Sequence, residues 1–168
     1  YKAYEQPTLS EGFTEINSTK ISRSGMEGGA EVFNVNYFGE NVCLTQSPQF
    51  YKQMMVGVFE RVFEVGKVYR AEVSNTNKHL SEFIGMDFEV GFIESYEEIM
   101  EIEENIFKHI FETISNRCKY ELEYLGISLE YKPFIRLTYE ESIKIIECEY
   151  GIKAEKVGLT TEQERLIS

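Results

Sequence analysis

Hydrophobic and polar positions change period along the chain, and the changes mark out its elements. From Val32 to Phe38 they alternate, with Phe33, Val35 and Tyr37 on one face. Gly39-Glu40-Asn41 predicts a turn, and Val42 to Thr45 the return strand of a β-hairpin. Ser47-Pro48 has the form of an N-cap followed by Pro at the first helical position. It predicts a helix to about Phe63, with Phe50, Met54, Val58 and Val62 as the buried stripe. Val65 to Val73 predicts a strand, Ser74 to Leu80 a polar loop, and Phe83 to Phe92 a further strand. Ser95-x-x-Glu98 is a capping box, opening a long helix with the stripe Ile99, Ile102, Ile106, Ile110 and Ile114 and an end near Gly126. Thr138-x-x-Glu141 opens another that stops at Gly151, and Thr161-x-x-Glu164 a last one. The last helix meets the end of the chain at Ser168, which gives the expectation that the chain is incomplete. At the other end, Pro7, Ser10 and Gly12 predict irregular backbone over residues 1–12, followed by a short apolar stretch from Phe13 to Ile16. Gly25, Gly28 and Gly29 predict a mobile loop.

The strand from Phe83 to Phe92 is the most informative segment. With side chains alternating between faces, Ile84, Met86, Phe88, Val90 and Phe92 form an apolar face that belongs in a core. Phe83, Gly85, Asp87, Glu89 and Gly91 form the other. Two carboxylates and an aromatic ring, separated by glycines that leave room above the sheet, suit close approach of a ligand. A solvated outer face of an edge strand is the plainer account, although such faces rarely combine Phe with two Gly. In the preceding strand Arg70 and Glu72 share a face, and a short connection makes the strands antiparallel neighbours. Arg70, Glu72, Asp87 and Glu89 then line one polar surface, fit for a zwitterion and a polyphosphate together, or simply salt-bridged across a hairpin. Gln49 and Lys52, spaced i and i+3, share a side of the first predicted helix beside the capping Ser47; a solvated helix face accounts for them as well.

Composition narrows the function classes. The 168 residues suit one domain, and 42% hydrophobic with 27% charged residues is a globular balance. No apolar run reaches the roughly 18–20 residues of a membrane span, and no secretory signal opens the chain, although it begins without Met and an upstream segment is conceivable. The net charge of −12 argues against a nucleic-acid surface on these residues, unless a further domain carries the basic patch. All but one of the 29 acidic residues are Glu; the exception is Asp87, in the most motif-like stretch, and chance with codon bias explains that equally well. Cys43, Cys118 and Cys148 are far apart, and His79 and His109 have no second ligand near them in sequence, so no zinc site is expected. An odd cysteine count without a signal fits reduced thiols in a cytoplasm.

At this point a resemblance becomes specific. Tyr69-Arg70-Ala71-Glu72, the loop Ser74-Asn75-Thr76-Asn77-Lys78-His79-Leu80, then Glu82-Phe83 and Asp87-x-Glu89, resemble motif 2 (about 66–92) of class II aminoacyl-tRNA synthetases. Gln46-Ser47-Pro48-Gln49-Phe50-Tyr51-Lys52-Gln53 resembles the amino-acid-binding segment (46–53) of the aspartyl-tRNA synthetases. Glu27-Gly28-Gly29-Ala30-x-x-Phe33 resembles their flipping loop (24–33), and Gly12-Phe13-Thr14-Glu15-Ile16 resembles motif 1 (about 11–21). The resemblance runs from about Gly12 through the helical region 95–168 and is densest from Gln46 to Glu89. Lysyl enzymes lack Gln-Ser-Pro-Gln here, and asparaginyl enzymes usually have Glu where Asp87 stands. No bacterial-type insertion domain begins after motif 2, which points to the archaeal and eukaryotic type. Three features depart from the pattern: Thr19 stands where motif 1 has proline, the segment matching motif 3 and the N-terminal anticodon-binding barrel are absent, and residues 1–11 match poorly.

The resemblance implies an α+β catalytic core, truncated before motif 3, with a mixed, mainly antiparallel sheet flanked by helices. It implies aspartate–tRNA ligase activity: ATP and L-aspartate give aspartyl-adenylate, and the aspartyl group passes to the 3′ end of tRNA(Asp). The residues above would then have these roles. Arg70 bridges the α-phosphate and the reacting carboxylate as the catalytic residue. Arg70, Glu72, His79, Leu80 and Phe83 bind ATP, with Phe83 on the adenine. Glu27, Ser47, Gln49, Lys52 and Asp87 bind aspartate, Lys52 pairing with its side-chain carboxylate. Ser74, Asn75, Thr76 and Asn77 touch the tRNA acceptor end. Magnesium is implied with ATP, with no metal ligand assigned within this chain. A cytoplasmic homodimer is implied, with Phe13 and Ile16 buried at a motif 1 interface and no membrane partner. Without motif 3 these residues alone are expected to be inactive. An asparaginyl-tRNA synthetase, an asparagine synthetase of the same fold, a non-catalytic synthetase-like binding module and an acidic scaffold domain are the alternatives. Arg70 together with Phe83 argues against the last two.

Overall fold

The computed structural model describes residues 2–23, 32–71, 80–153 and 158–167. It divides into two units, Tyr1–Tyr131 and Lys132–Ser168.

In the first unit the central element is a strand pair. β5 (Arg61–Tyr69) and β6 (Glu82–Val90) run antiparallel, in register from Arg61 opposite Val90 to Tyr69 opposite Glu82. β1 (Thr14–Glu15) adds to β5 in parallel, giving the order β1-β5-β6. A second sheet, order β2-β4-β3, joins β2 (Ile21–Ser22), β3 (Asn34–Tyr37) and β4 (Glu40–Leu44) in antiparallel fashion. The mixed, mainly antiparallel α+β architecture expected from the sequence is the one observed. One face of the strand pair is greasy: Phe63, with Val65, Phe88 and Val90, packs against Tyr4 of α1 (Lys2–Ser10) and Ile102 and Ile106 of α3 (Tyr96–Arg117). Phe13 seals this core edge-on to Phe88, ring centroids 5.6 Å apart. The opposite face carries the polar positions, with α2 (Gln49–Phe59) beside it.

Several expectations are corrected. Residues 2–10 are helical despite Pro7, because Tyr4 and Thr8 are buried and the Thr8 hydroxyl donates to the carbonyls of Tyr4 and Glu5. Tertiary packing outweighs the proline penalty there. The hairpin turns at Phe38-Gly39, both at positive φ, one residue before the expected turn. α2 stops at Phe59, with Glu60 at φ 63°, because Val62 and Phe63, both fully buried, are drawn into β5. Its apolar stripe faces outward: Phe50 and Met54 are 51% exposed and Val58 71%. On β6, Phe88 and Val90 reach the core, but Ile84 and Met86 lie beyond the cover of the helices and are exposed, and Phe92 has left the strand. The long helix breaks at Cys118 into α3 and α4 (Lys119–Leu125), which ends on Gly126 in the left-handed region. Phe13 and Ile16 are already buried within the chain, so they are not free to form a dimer surface.

In the second unit α5 (Tyr139–Tyr150) opens on the expected box: the Thr138 hydroxyl accepts from the Glu141 N–H, and the Glu141 carboxylate from the Thr138 N–H. It ends at Gly151 as expected. α6 (Thr161–Ile167) is capped one residue earlier than expected, by Thr160 paired with Gln163, because Gln163 is the residue whose side chain turns back to the Thr160 N–H. No helix among the described residues is long and apolar enough to cross a membrane.

Candidate active site

The register of β5 and β6 builds the site in rungs. On the polar face Val62 lies opposite Glu89, Glu64 opposite Asp87, Gly66 opposite Gly85, and Val68 opposite Phe83. The middle rung has no side chains, so the sheet offers a bare floor with carboxylates at one end and an aromatic ring at the other.

α2 supplies the cation at the acidic end. Its start is set by Ser47-Pro48: the Ser47 hydroxyl accepts from the Gln49 N–H at 3.2 Å, and the Pro48 carbonyl accepts from the Lys52 N–H at 2.9 Å. The helix begins one residue later than expected, with Pro48 in place of Ser47 as its N-cap and no side-chain cap, although the Ser47 hydroxyl still meets its first N–H. This start points Lys52 at the strand pair. Lys52 is 3% exposed, and its Nζ lies 2.5 Å from Asp87 Oδ1, 3.3 Å from Glu89 Oε2 and 3.4 Å from the Phe88 carbonyl. Gln49 Nε2 donates to Glu89 Oε2 at 3.4 Å. Ser47 is buried, as are its neighbours Thr45, Gln46 and Pro48. The segment is fixed to the sheet because the Tyr69 N–H donates to the Thr45 carbonyl at 2.9 Å.

At the other end Arg70 follows β5 directly. Its N–H donates to the Ser81 carbonyl, and its guanidinium stands over the Phe83 ring, 5.7 Å from the centroid. Cation–π contact of this kind is worth about 0.5–2 kcal/mol, and it holds the planar guanidinium beside the flat ring. Leu80 is exposed just before β6. The structure therefore brings Ser47, Gln49, Lys52 and Asp87 together at one end of the floor, and Arg70 and Phe83 at the other. Glu27, Glu72, Ser74, Asn75, Thr76, Asn77 and His79 lie outside the described residues.

Two residues at the site were not singled out from the sequence. Glu64 is 2% exposed, on the rung of Asp87, and is ion-paired with Lys20. The available signal was a lone Glu inside the apolar run Val62-Phe63-Glu64-Val65. Beneath the sheet, burial first and the Asp87 charge second hold the Tyr4 phenol above its ordinary range. A separate groove of about 260 Å³ opens between β1 and α2, lined by Ile16, Tyr51, Met55 and Phe59 among others, and none of the site residues above lines it.

Chemically, Lys52, Asp87 and Glu89 provide both signs of charge for a small zwitterion, and Arg70 with Phe83 suits a nucleotide. A carboxylate held between the two ends needs no base to become a nucleophile, being ionised at neutral pH. Comparison with known proteins bears on the family. The family model described as tRNA synthetases class II (D, K and N) matches residues 2–167. An aspartate–tRNA(Asp/Asn) ligase of Deinococcus radiodurans is 43% identical over 168 residues, covering 99% of this chain and 39% of its own length. The crystal structure of asparaginyl-tRNA synthetase from Pyrococcus horikoshii, complexed with asparaginyl-adenylate, superposes with a TM-score of 0.87 at 29% identity, over 99% of this chain and 39% of that one. The aspartyl tRNA synthetase of Entamoeba histolytica superposes with a TM-score of 0.77 at 36% identity, over 97% of this chain and 31% of that one. The chain thus spans between 31% and 39% of the length of these relatives. The match covers nearly every residue and includes both ends of the site, and the chain belongs to the class II tRNA synthetases of the D, K and N group.

Proposed function

We propose that the protein carrying this chain is an aspartate–tRNA ligase that activates L-aspartate with ATP and transfers the aspartyl group to the 3′ end of tRNA(Asp). The observation that carries this reading is the buried Lys52, facing Asp87 and Glu89 at the acidic end of the floor. The substrate's side-chain carboxylate exchanges with one of the two protein carboxylates on Lys52, while its ammonium is received by Asp87 with Ser47 and Gln49 nearby. Asparagine, with a neutral side chain, gains nothing from that cation. The α-carboxylate attacks the α-phosphorus of ATP, forming one P–O bond as the bond to pyrophosphate breaks. In this reading the planar fork of Arg70 bridges the two reacting groups and offsets the charge gathering on the phosphorus oxygens. Phe83 supplies the stacking surface for adenine. Rate enhancement then comes from positioning and charge stabilisation, with no proton transfer in this step.

The flipping-loop Glu27, the ATP contacts Glu72, His79 and Leu80, and the acceptor-end contacts Ser74 to Asn77 belong to the same reading, on the strength of the resemblance. Magnesium enters as the companion of the ATP phosphates. Among the described residues no group of three or more His, Cys, Asp or Glu is arranged to hold a metal ion, and no step above runs through one. A two-fold homodimer in the cytoplasm completes the proposal, its interface sought on the exposed stripe of α2 rather than on Phe13 and Ile16.

The test is ATP–pyrophosphate exchange by the complete protein that carries these residues. Exchange that depends on aspartate, with asparagine and lysine supporting little, is expected, as is charging of tRNA(Asp). Exchange that is absent, or equal for aspartate and asparagine, overturns the proposal.

A further inference from the structure

A second lysine lies at the floor of the site, and the reaction as described does not use it. Lys20 precedes β2 and reaches over β5 to Glu64, whose carboxylate also accepts from the Ser18 N–H at 3.0 Å. Lys20 Nζ donates in addition to Ser18 Oγ at 3.1 Å. The pair covers the bare middle rung. A β-carbon built on Gly66 would fall 2.9 Å from Glu64 Oε1 and 3.2 Å from Lys20 Nζ, so the absence of a side chain there leaves the room the ion pair occupies. The Lys20 side chain is 28% exposed and that of Glu64 2%, so the lysine keeps some access to solvent while the carboxylate is sealed.

The electrostatics of the acidic end give this pair a role. Glu64 and Asp87 are directly opposite on neighbouring strands and share a face, with Glu89 one rung further on. Like charges so placed repel. Three carboxylates crowd a surface that, under the proposed function, has to accept a fourth. Lys52 is shared between Asp87 and Glu89. Lys20 is the cation that neutralises Glu64.

We propose that Lys20 is a specificity-determining positioning residue. By cancelling the buried charge of Glu64, it keeps the amino-acid subsite receptive to an anionic side chain. The proposal rests on the reading of the substrate as aspartate. Without Lys20, an uncompensated carboxylate in a poorly solvated place repels aspartate, whereas asparagine, of nearly the same shape, is little affected. A brace that served only the fold would weaken both amino acids alike.

The experiment measures, in the complete protein, KM for aspartate in pyrophosphate exchange, KM for ATP, and the inhibition constant of asparagine. Lys20→Met is expected to raise KM for aspartate by at least about tenfold, a conservative figure for a like-charge juxtaposition. The other two constants should stay within about twofold, the range of an ordinary surface change. Lys20→Arg should restore aspartate binding, and so should the neutral double variant Lys20→Met/Glu64→Gln. Glu64→Gln alone leaves Lys20 as a surplus cation and should lower KM for aspartate; this variant decides the matter if Lys20→Met does not fold. Equal losses for aspartate and asparagine, a double variant as impaired as Lys20→Met, or a raised aspartate KM in Glu64→Gln each overturn the proposal. An absence of aspartate-dependent exchange in the unaltered protein would instead refute the function on which it rests.

Discussion

Replacing Lys52 by Met keeps an unbranched apolar stem, shorter by the terminal nitrogen, and deletes the charge. Two effects follow, and the geometry gives their sizes. In the free protein, Asp87 and Glu89 lose their shared cation at 2.5 and 3.3 Å. Removing one member of a fully buried pair costs about 3–5 kcal/mol. Here the carboxylates are 33% and 28% exposed, so water screens them, and a loss nearer to about 1–2 kcal/mol is expected. Under the proposed function the same lysine is the partner of the substrate's side-chain carboxylate. Leaving one member of a close pair unmatched in a binding site costs about 2–5 kcal/mol. The exposure of the site argues for the lower end, which at about 1.4 kcal/mol per tenfold is roughly thirtyfold. Pyrophosphate exchange in the complete protein should therefore show kcat/KM for aspartate reduced by at least about tenfold. The inhibition constant of asparagine should change far less, and KM for ATP should hold within about twofold, since Arg70 and Phe83 stand at the other end of the floor. The double variant Lys52→Met/Asp87→Asn should regain stability without regaining aspartate discrimination, separating folding from recognition. Equal losses for the two amino acids, or a change in aspartate kinetics below about twofold, would remove Lys52 from this role.

Phe63→Ala should destabilise the protein by about 3–5 kcal/mol in urea unfolding, because the ring is fully buried between Tyr4 and the helix α3; a loss below about 1 kcal/mol would mean that this rung is not the centre of the core. Gly66→Ala places a β-carbon against the Lys20–Glu64 pair, and Glu64 has no solvent to retreat into, so about 1–3 kcal/mol of stability should be lost together with a raised KM for aspartate; wild-type values for both would show that the pair yields freely. Glu141 is held below the ordinary carboxylate range, chiefly by the Thr138 N–H and then by the Thr138 hydroxyl. A depressed folded-state value means that its contribution is present above the unfolded pKa and is lost as pH falls through the folded one. The stability difference between the unaltered protein and Glu141→Gln should accordingly shrink on acidification below about pH 4, and a difference independent of pH would refute the capping role.

What was legible in the sequence was what is local. α5 and the start of α3 were readable because a capping box and a helical period coincide, both being settled within one turn of chain. The polar face of β6 was readable because period-two alternation fixes which residues share a side, and the glycines between Phe83, Asp87 and Glu89 marked that side as open. Of the residues singled out, Gln49, Lys52 and Asp87 come together with Glu89 at one end of the floor, and Arg70 stands over Phe83 at the other. What escaped is non-local. Glu64 acquires its meaning from Ser18 and Lys20, distant in sequence, and from a rung shared with Asp87 that register alone defines. Residues 2–10 are a helix because of what Tyr4 touches, which no propensity of the segment discloses.

The orientation of α2 shows the same limit and carries a physical consequence. Periodicity established that Phe50, Met54 and Val58 share a side, and it said nothing of what covers them. At about 100° per residue, Lys52 stands some 200° round the helix from Phe50, nearly opposite. The helix can therefore bury the apolar stripe or Lys52, and not both. Turning Phe50, Met54 and Val58 inward would stabilise an isolated chain by about 1.5–3 kcal/mol for each side chain fully covered. A lysine turned inward gains less, since desolvation offsets much of its pairing. The observed choice, Lys52 sealed and the stripe exposed, is not the one that stability of this chain alone would select. It is intelligible if the charge is needed at Asp87 and Glu89 and if the stripe is covered by another surface in the assembled protein. Catalytic placement and assembly then make one demand on α2, which is the physical ground for seeking the proposed dimer contact on that stripe.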